Sequence, residues 1–167
     1  MQRTCGHSAK RRLQRQTYRY VADGRRKCIP QVLERYVHPD DPYCMADVHA
    51  YAPWWFCLVG GWEIKPEHRL FNTDGEKEIT TVFNVLNEML VSKNIPFLMG
   101  ETGATRNVGS TEERIKWANV YFTEARKIGM PTAVHSDVGP FRQMDYKTAT
   151  WTDTDYLNAI FKAYFSD

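Results

Sequence analysis

Apolar positions along this chain fall into a repeating pattern: a short continuous run, then a longer stretch in which they return every three or four residues. Ile95 to Met99 has no polar break and reads as a strand covered on both faces, as in a parallel sheet. Met45–Ala50 and Pro131–Ser136 read as strands of the same kind. Between the first two, Ile79, Val82, Phe83, Leu86, Met89 and Leu90 recur at helical spacing behind the capping pair Thr73 and Glu76, which predicts a helix over about 75–93. Ser110 and Glu113 repeat that pairing before Ile115, Ala118, Phe122 and Ala125, and Gly129 sits where a left-handed C-terminal cap belongs. Thr152 and Asp155 do likewise before Tyr156, Leu157, Ile160, Phe161 and Tyr164. The order is βαβαβα, an α/β arrangement. Upstream, Leu13–Tyr18 predicts a further strand and Pro30–Tyr36 a short helix.

Length and composition narrow the class. The 167 residues fit one domain with a sizeable core. An apolar share of 43% and a charged share of 25% are globular values, and no segment approaches the roughly 18 uninterrupted apolar residues of a membrane span. A soluble protein with no membrane partner is expected. Cys5, Cys28, Cys44 and Cys57 form no C-x-x-C pair and have no regular spacing with histidine, so neither a metal site nor a disulfide framework is predicted. The net charge of +2 hides an asymmetry: residues 1–27 carry nine Lys/Arg and one acid, while the remainder carries thirteen Lys/Arg and nineteen acids. A basic head of that kind suits a nucleic-acid arm, with Tyr18 and Tyr20 as stacking surfaces, but it is short and has no docking motif, which argues against that reading. It also has no apolar stretch behind its basic residues, so no secretory signal is expected.

Each strand of the alternation ends in side chains that can do chemistry. The first closes on His49 and Tyr51, the second on Glu101 between Gly100 and Gly103, and the third on His135 and Asp137. In α/β architectures the carboxyl ends of parallel strands face one crevice, so these groups are expected to converge. Taken alone, Glu101 is a solvated loop opener and His49 a core histidine. Trp54 and Trp55 follow Tyr51 closely, and adjacent aromatics in a loop either cover a core or meet a flat partner such as a sugar ring.

ADVHAYAPWWF (46–56), IPFLMGETGA (95–104), Arg114-x-x-Trp117-Ala118 and SDVG (136–139) together resemble the C-terminal half of a glycoside hydrolase family 5 enzyme, an endoglucanase-type cellulase. The resemblance covers about residues 43–165. It implies a partial (β/α)₈ barrel, a TIM barrel represented by its last four βα units, with 1–42 a basic, poorly matching segment that holds a degraded strand and helix, and 43–167 the half barrel. It implies retaining hydrolysis of β-linked glucans without a cofactor, and a secreted enzyme. Glu101 matches the family's nucleophile, with His49 and Tyr51 its partners. Trp54, Trp55, His135 and Asp137 match positions that line the sugar.

The departures are specific. The acid/base of the family lies in an Asn-Glu-Pro motif, and this chain has none; Asn87-Glu88 is followed by Met89 inside the predicted helix and reads as a solvated face. Ser136 stands where a platform Trp is usual, Val138 replaces the usual Asn, and Thr102 replaces an aromatic. A barrel of this type takes about 250 residues and rarely fewer than 200. The expectation is therefore a truncated hydrolase that carries the nucleophile but not the acid/base, whose open half barrel self-associates. The alternative is a non-catalytic carbohydrate-binding or assembly module.

Overall fold

The computed structural model describes residues 17–19, 33, 36–58 and 65–166. Four strands form one sheet in the order β1 (Thr17–Arg19), β2 (Ala46–His49), β3 (Phe97–Thr102) and β4 (Thr132–Val134). All three pairings are parallel. Spatial order equals chain order, the arrangement that successive right-handed βα crossovers produce. β1 retains the end of the strand expected over Leu13–Tyr18, whose first residues lie outside the described set. Of the helix expected over Pro30–Tyr36, only Leu33 is described as helical.

The helices are α1 (Trp54–Cys57), α2 (Thr73–Met89), α3 (Thr111–Lys127) and α4 (Thr154–Phe165). Their starts follow the expected chemistry, with two caps moved by one residue. Asn72 rather than Thr73 caps α2, its Oδ1 accepting from the amides of Asp74 and Gly75. Asp153 rather than Thr152 caps α4 through Tyr156 N. In both cases an Asx side chain adjacent to the predicted Thr takes the role, in keeping with the N-cap preference for Asn and Asp over Thr. Ser110 caps α3 as expected, but Glu113 does not reach back to it: its carboxylate accepts from Phe71 N and pairs with Lys116. α2 stops at Met89, short of the predicted end, because the chain tightens into a 3-10 turn over Val91–Lys93 that closes on left-handed Asn94. Gly129 adopts φ +63°, the left-handed cap its position predicted.

The core lies between the sheet and the helices. Ile79, Phe83 and Leu86 of α2 meet Trp117, Tyr121 and Phe122 of α3, while Tyr156 of α4 lies stacked 6.3 Å from Trp117. The other face of the sheet is open among the described residues. β3 accordingly buries Met99 and Thr102 fully and leaves Phe97, Leu98 and Gly100 half-covered, so the expected cover on both faces is not observed. A hairpin of two-residue strands, β5 (Met144–Asp145) and β6 (Thr150–Trp151), follows β4. Asn87 and Glu88 are exposed on α2, as a solvated face requires. No helix among the described residues is long and apolar enough to cross a membrane.

Candidate active site

One helix face sets the loops that follow β2 and β3. Arg114, Trp117 and Tyr121 recur at i, i+3 and i+7 on α3, which places them on one side. Tyr121 donates its hydroxyl to Ala50 O at 2.7 Å, and Trp117 Nε1 donates to Ala52 O at 2.8 Å, so both backbone neighbours of Tyr51 are held. Arg114 Nε donates to Ala104 O at 3.0 Å, three residues beyond Glu101. Thr102 Oγ1 also donates to Ala50 O, joining the end of β3 to that of β2. Thr102 thus serves as a strand tie where an aromatic was the expected pattern.

Glu101 sits at the carboxyl end of β3 with its side chain one-third exposed. Three side chains surround it. Tyr51, buried, donates its hydroxyl to Oε1. His49, the last residue of β2, places Nδ1 3.5 Å from Oε2, and His135, just past β4, places Nδ1 3.9 Å from Oε1. Burial, then the hydrogen bond to Glu101 and its negative charge, push the Tyr51 phenol well above its ordinary value. It therefore stays protonated and remains a donor to the carboxylate. The ring is braced by Phe141, which meets Tyr51 and His135 edge-on with centroids 5.6 and 5.1 Å away.

The strand-end groups therefore do converge, and His49, Tyr51, Glu101, His135 and Asp137 occupy one edge of the sheet. Asp137 is engaged differently from the rest. Its Oδ1 accepts from Gly139 N and Phe141 N, building the turn that carries Phe141, while Oδ2 lies 3.8 Å from His135 Nε2. Trp54 and Trp55 are half-buried on α1. Burial raises the pKa of the Glu78 carboxyl on α2. Trp55 packs 5.7 Å from the His68 ring, beside a cleft of about 170 Å³ shared with Glu67, Asn72 and Asp74. The contacts that fix Trp55 are thus with the helical layer. Ser136 Oγ lies 2.9 Å from the exposed Tyr146 hydroxyl and accepts from Gln143 N, which pins the β5–β6 hairpin to the end of β4.

Sequence reasoning missed Phe141 and Asp47. Phe141 has no periodic neighbours to mark it. Asp47 stands two residues before His49 on the same strand, and that alternation is the signal that could have found it. Among the described residues, no group of three His, Cys, Asp or Glu side chains could hold a metal ion.

Comparison with known proteins identifies relatives of this fold. A family model described as Cellulase (glycosyl hydrolase family 5) matches residues 20–136. Endoglucanase A of Ruminococcus albus is 27% identical over 161 residues, covering 90% of this chain and 42% of its own length. Endoglucanase 1 of the same organism is 35% identical over 94 residues, covering 55% of this chain and 21% of its own length. Among solved structures, a GH5-4 broad specificity endoglucanase from Ruminococcus champanellensis with bound cellotriose superposes with a TM-score of 0.68 at 20% identity, over 81% of this chain and 40% of that one. A glycoside hydrolase 5 lichenase from Caldicellulosiruptor sp. F32, solved with cellotetraose, gives 0.64 at 26% identity, over 80% of this chain and 40% of that one. The chain spans less than half the length of each of these relatives, and its four parallel βα units match part of their fold.

Proposed function

For a chain that belongs to glycosyl hydrolase family 5, we propose the nucleophile half of a retaining β-glucan hydrolase site, with Glu101 as the attacking carboxylate. The observation that carries this reading is the setting of Glu101: a strand-end carboxylate that accepts from a buried phenol and stands between two imidazoles. A nucleophile of this kind must be held immobile, and Tyr51 does so by donating to one oxygen. His49 and His135 border the sugar side, and Asp137 orients His135 while holding the Phe141 turn. Cello-oligosaccharides bound to related structures support a β-linked glucan as substrate. In this reading Trp54 and Trp55 line an outer subsite and residues 43–167 carry all the assigned positions.

The reading also holds that the acid/base does not come from the residues of this chain. Retaining hydrolysis uses a second carboxyl about 5–5.5 Å from the first. The Asn87-Glu88 pair is exposed on α2, on the helical layer, and is not that group. Self-association belongs to the same proposal: among the described residues β1 and β4 end the sheet, Ala133 is exposed mid-strand, and Phe161 and Phe165 stack on each other while more than half exposed on α4. An open edge and apolar rings of this kind favour a partner surface.

Hydrolysis of two substrates tests the reading. A dinitrophenyl cellobioside needs little protonation of its leaving group, whereas unactivated β-glucan depends on positioned acid catalysis, worth about 10²–10⁴ in rate. The chain should cleave the first and barely the second, gain activity on the second when the missing half of a related barrel is supplied, and lose both as Glu101→Gln. Cleavage of unactivated glucan at a normal enzyme rate by the chain alone would reject the incomplete site. Sugar binding with no cleavage of either substrate would favour the binding-module alternative.

A further inference from the structure

Asp47 and His49 alternate with Val48 on β2, so both side chains project from the face that carries Glu101. Asp47 Oδ1 is buried and has no hydrogen-bond partner, although a buried carboxylate oxygen without a donor is costly. His49 Nε2 lies 3.6 Å from it, slightly beyond a direct hydrogen bond, while Nδ1 of the same ring lies 3.5 Å from Glu101 Oε2. The imidazole thus spans two carboxylates. The neighbouring strand is shaped to admit the first of them: a Cβ at Gly100 would meet Asp47 Oδ1 at 1.9 Å and Asp47 Cγ at 2.8 Å. The backbone at Gly100 is not in the left-handed region, so what a side chain there would cost is the displacement of the Asp47 carboxylate and not a strained conformation.

We infer that Asp47 is a positioning residue of the site: its carboxylate draws the Nε2–H of His49, turns Nδ1 toward Glu101, and occupies a niche that glycine at position 100 leaves open. A ring turned away from the nucleophile would also carry Nε2 away from the unpartnered oxygen of Asp47. Its purpose in catalysis rests on the reading of Glu101 as nucleophile. The placement of the ring does not.

Two measurements on the full chain test it. In long-range proton–nitrogen spectra of histidine-labelled protein, with His49 assigned by the loss of its signals in His49→Gln, Nε2 should carry a proton. That state should persist in Asp47→Asn, whose amide oxygen still accepts, and be lost in Asp47→Ala, which has no acceptor there. In thermal unfolding, Gly100→Ala should lower Tm in the Asp47 chain and leave it unchanged in the Asp47→Ala chain, where all three atoms that the new methyl would meet are gone. A bare Nε2 in the parent protein, or equal Tm losses from Gly100→Ala in both backgrounds, would overturn the inference. Neither readout uses glycoside cleavage, so a protonated Nε2 in a protein whose Glu101 proves unreactive would reject the functional reading and support the positioning of the ring.

Discussion

Replacing Arg114 by methionine tests whether α3 fixes the loop behind Glu101. The guanidinium is only 1% exposed; its Nη1 lies 2.6 Å from Asp153 Oδ2, its Nε 3.0 Å from Ala104 O, and its Cζ 3.9 Å above the Tyr156 ring. Burial lowers the Arg114 pKa, and the charge of Asp153 opposes that shift. Removing one partner of a buried ion pair costs about 3–5 kcal/mol, because the other charge is left uncompensated. Here Asp153 would keep two donors, Thr111 Oγ1 and Tyr156 N, and Arg114 Nη2 is itself buried without a partner. Both facts favour the lower end, about 3 kcal/mol, since methionine retains much of the packing volume. The control is Glu124→Gln, which breaks an ion pair whose lysine is 60% exposed and should cost under about 1 kcal/mol. Equilibrium urea unfolding followed by tryptophan fluorescence compares the two. If Arg114→Met falls within about 0.5 kcal/mol of the control, a scatter typical of surface substitutions, the buried pair does not anchor the loop.

Burial raises the pKa of the Tyr51, Tyr121 and Tyr156 phenols, so each contributes stability that is present below the unfolded value of about 10 and lost as pH rises through the folded value. Absorbance at alkaline pH should show these three among the nine tyrosines ionising only as the fold is lost, and nine phenols titrating together before unfolding would contradict it. Asn72→Ala should destabilise the chain by about 1 kcal/mol in the same urea assay, with Thr73→Ala nearly silent; the reverse order would return the cap to Thr73.

The order βαβαβα was legible because each helix carried four to six apolar positions at one period and each strand ended at a break. The strand-end chemistry followed from topology: once three parallel strands are placed, His49, Glu101 and His135 must share an edge. Cap positions slipped by one residue where two capping side chains stood adjacent, as at Asn72-Thr73 and Thr152-Asp153, since local sequence does not say which turns first. The β5–β6 hairpin was illegible because two residues cannot display a period. The partial exposure of β3 was misjudged for a physical reason: an apolar run records what a strand would bury in a closed architecture, and half of that cover is not supplied by these residues. Asp47 was readable by alternation with His49, but its consequence depends on Gly100, a contact between strands.

The most direct test of Glu101 as nucleophile is covalent trapping. A dinitrophenyl cellobioside fluorinated beside the anomeric carbon slows formation and breakdown of a glycosyl-enzyme, while its good leaving group keeps the first step running without an acid, so the intermediate accumulates. Intact mass and peptide mapping after incubation should find one fluorocellobiosyl group on the peptide containing Glu101, absent in Glu101→Gln and slower to form in Tyr51→Phe. A label on another carboxylate, or no label on a folded chain that binds cellobiose, would contradict the assignment.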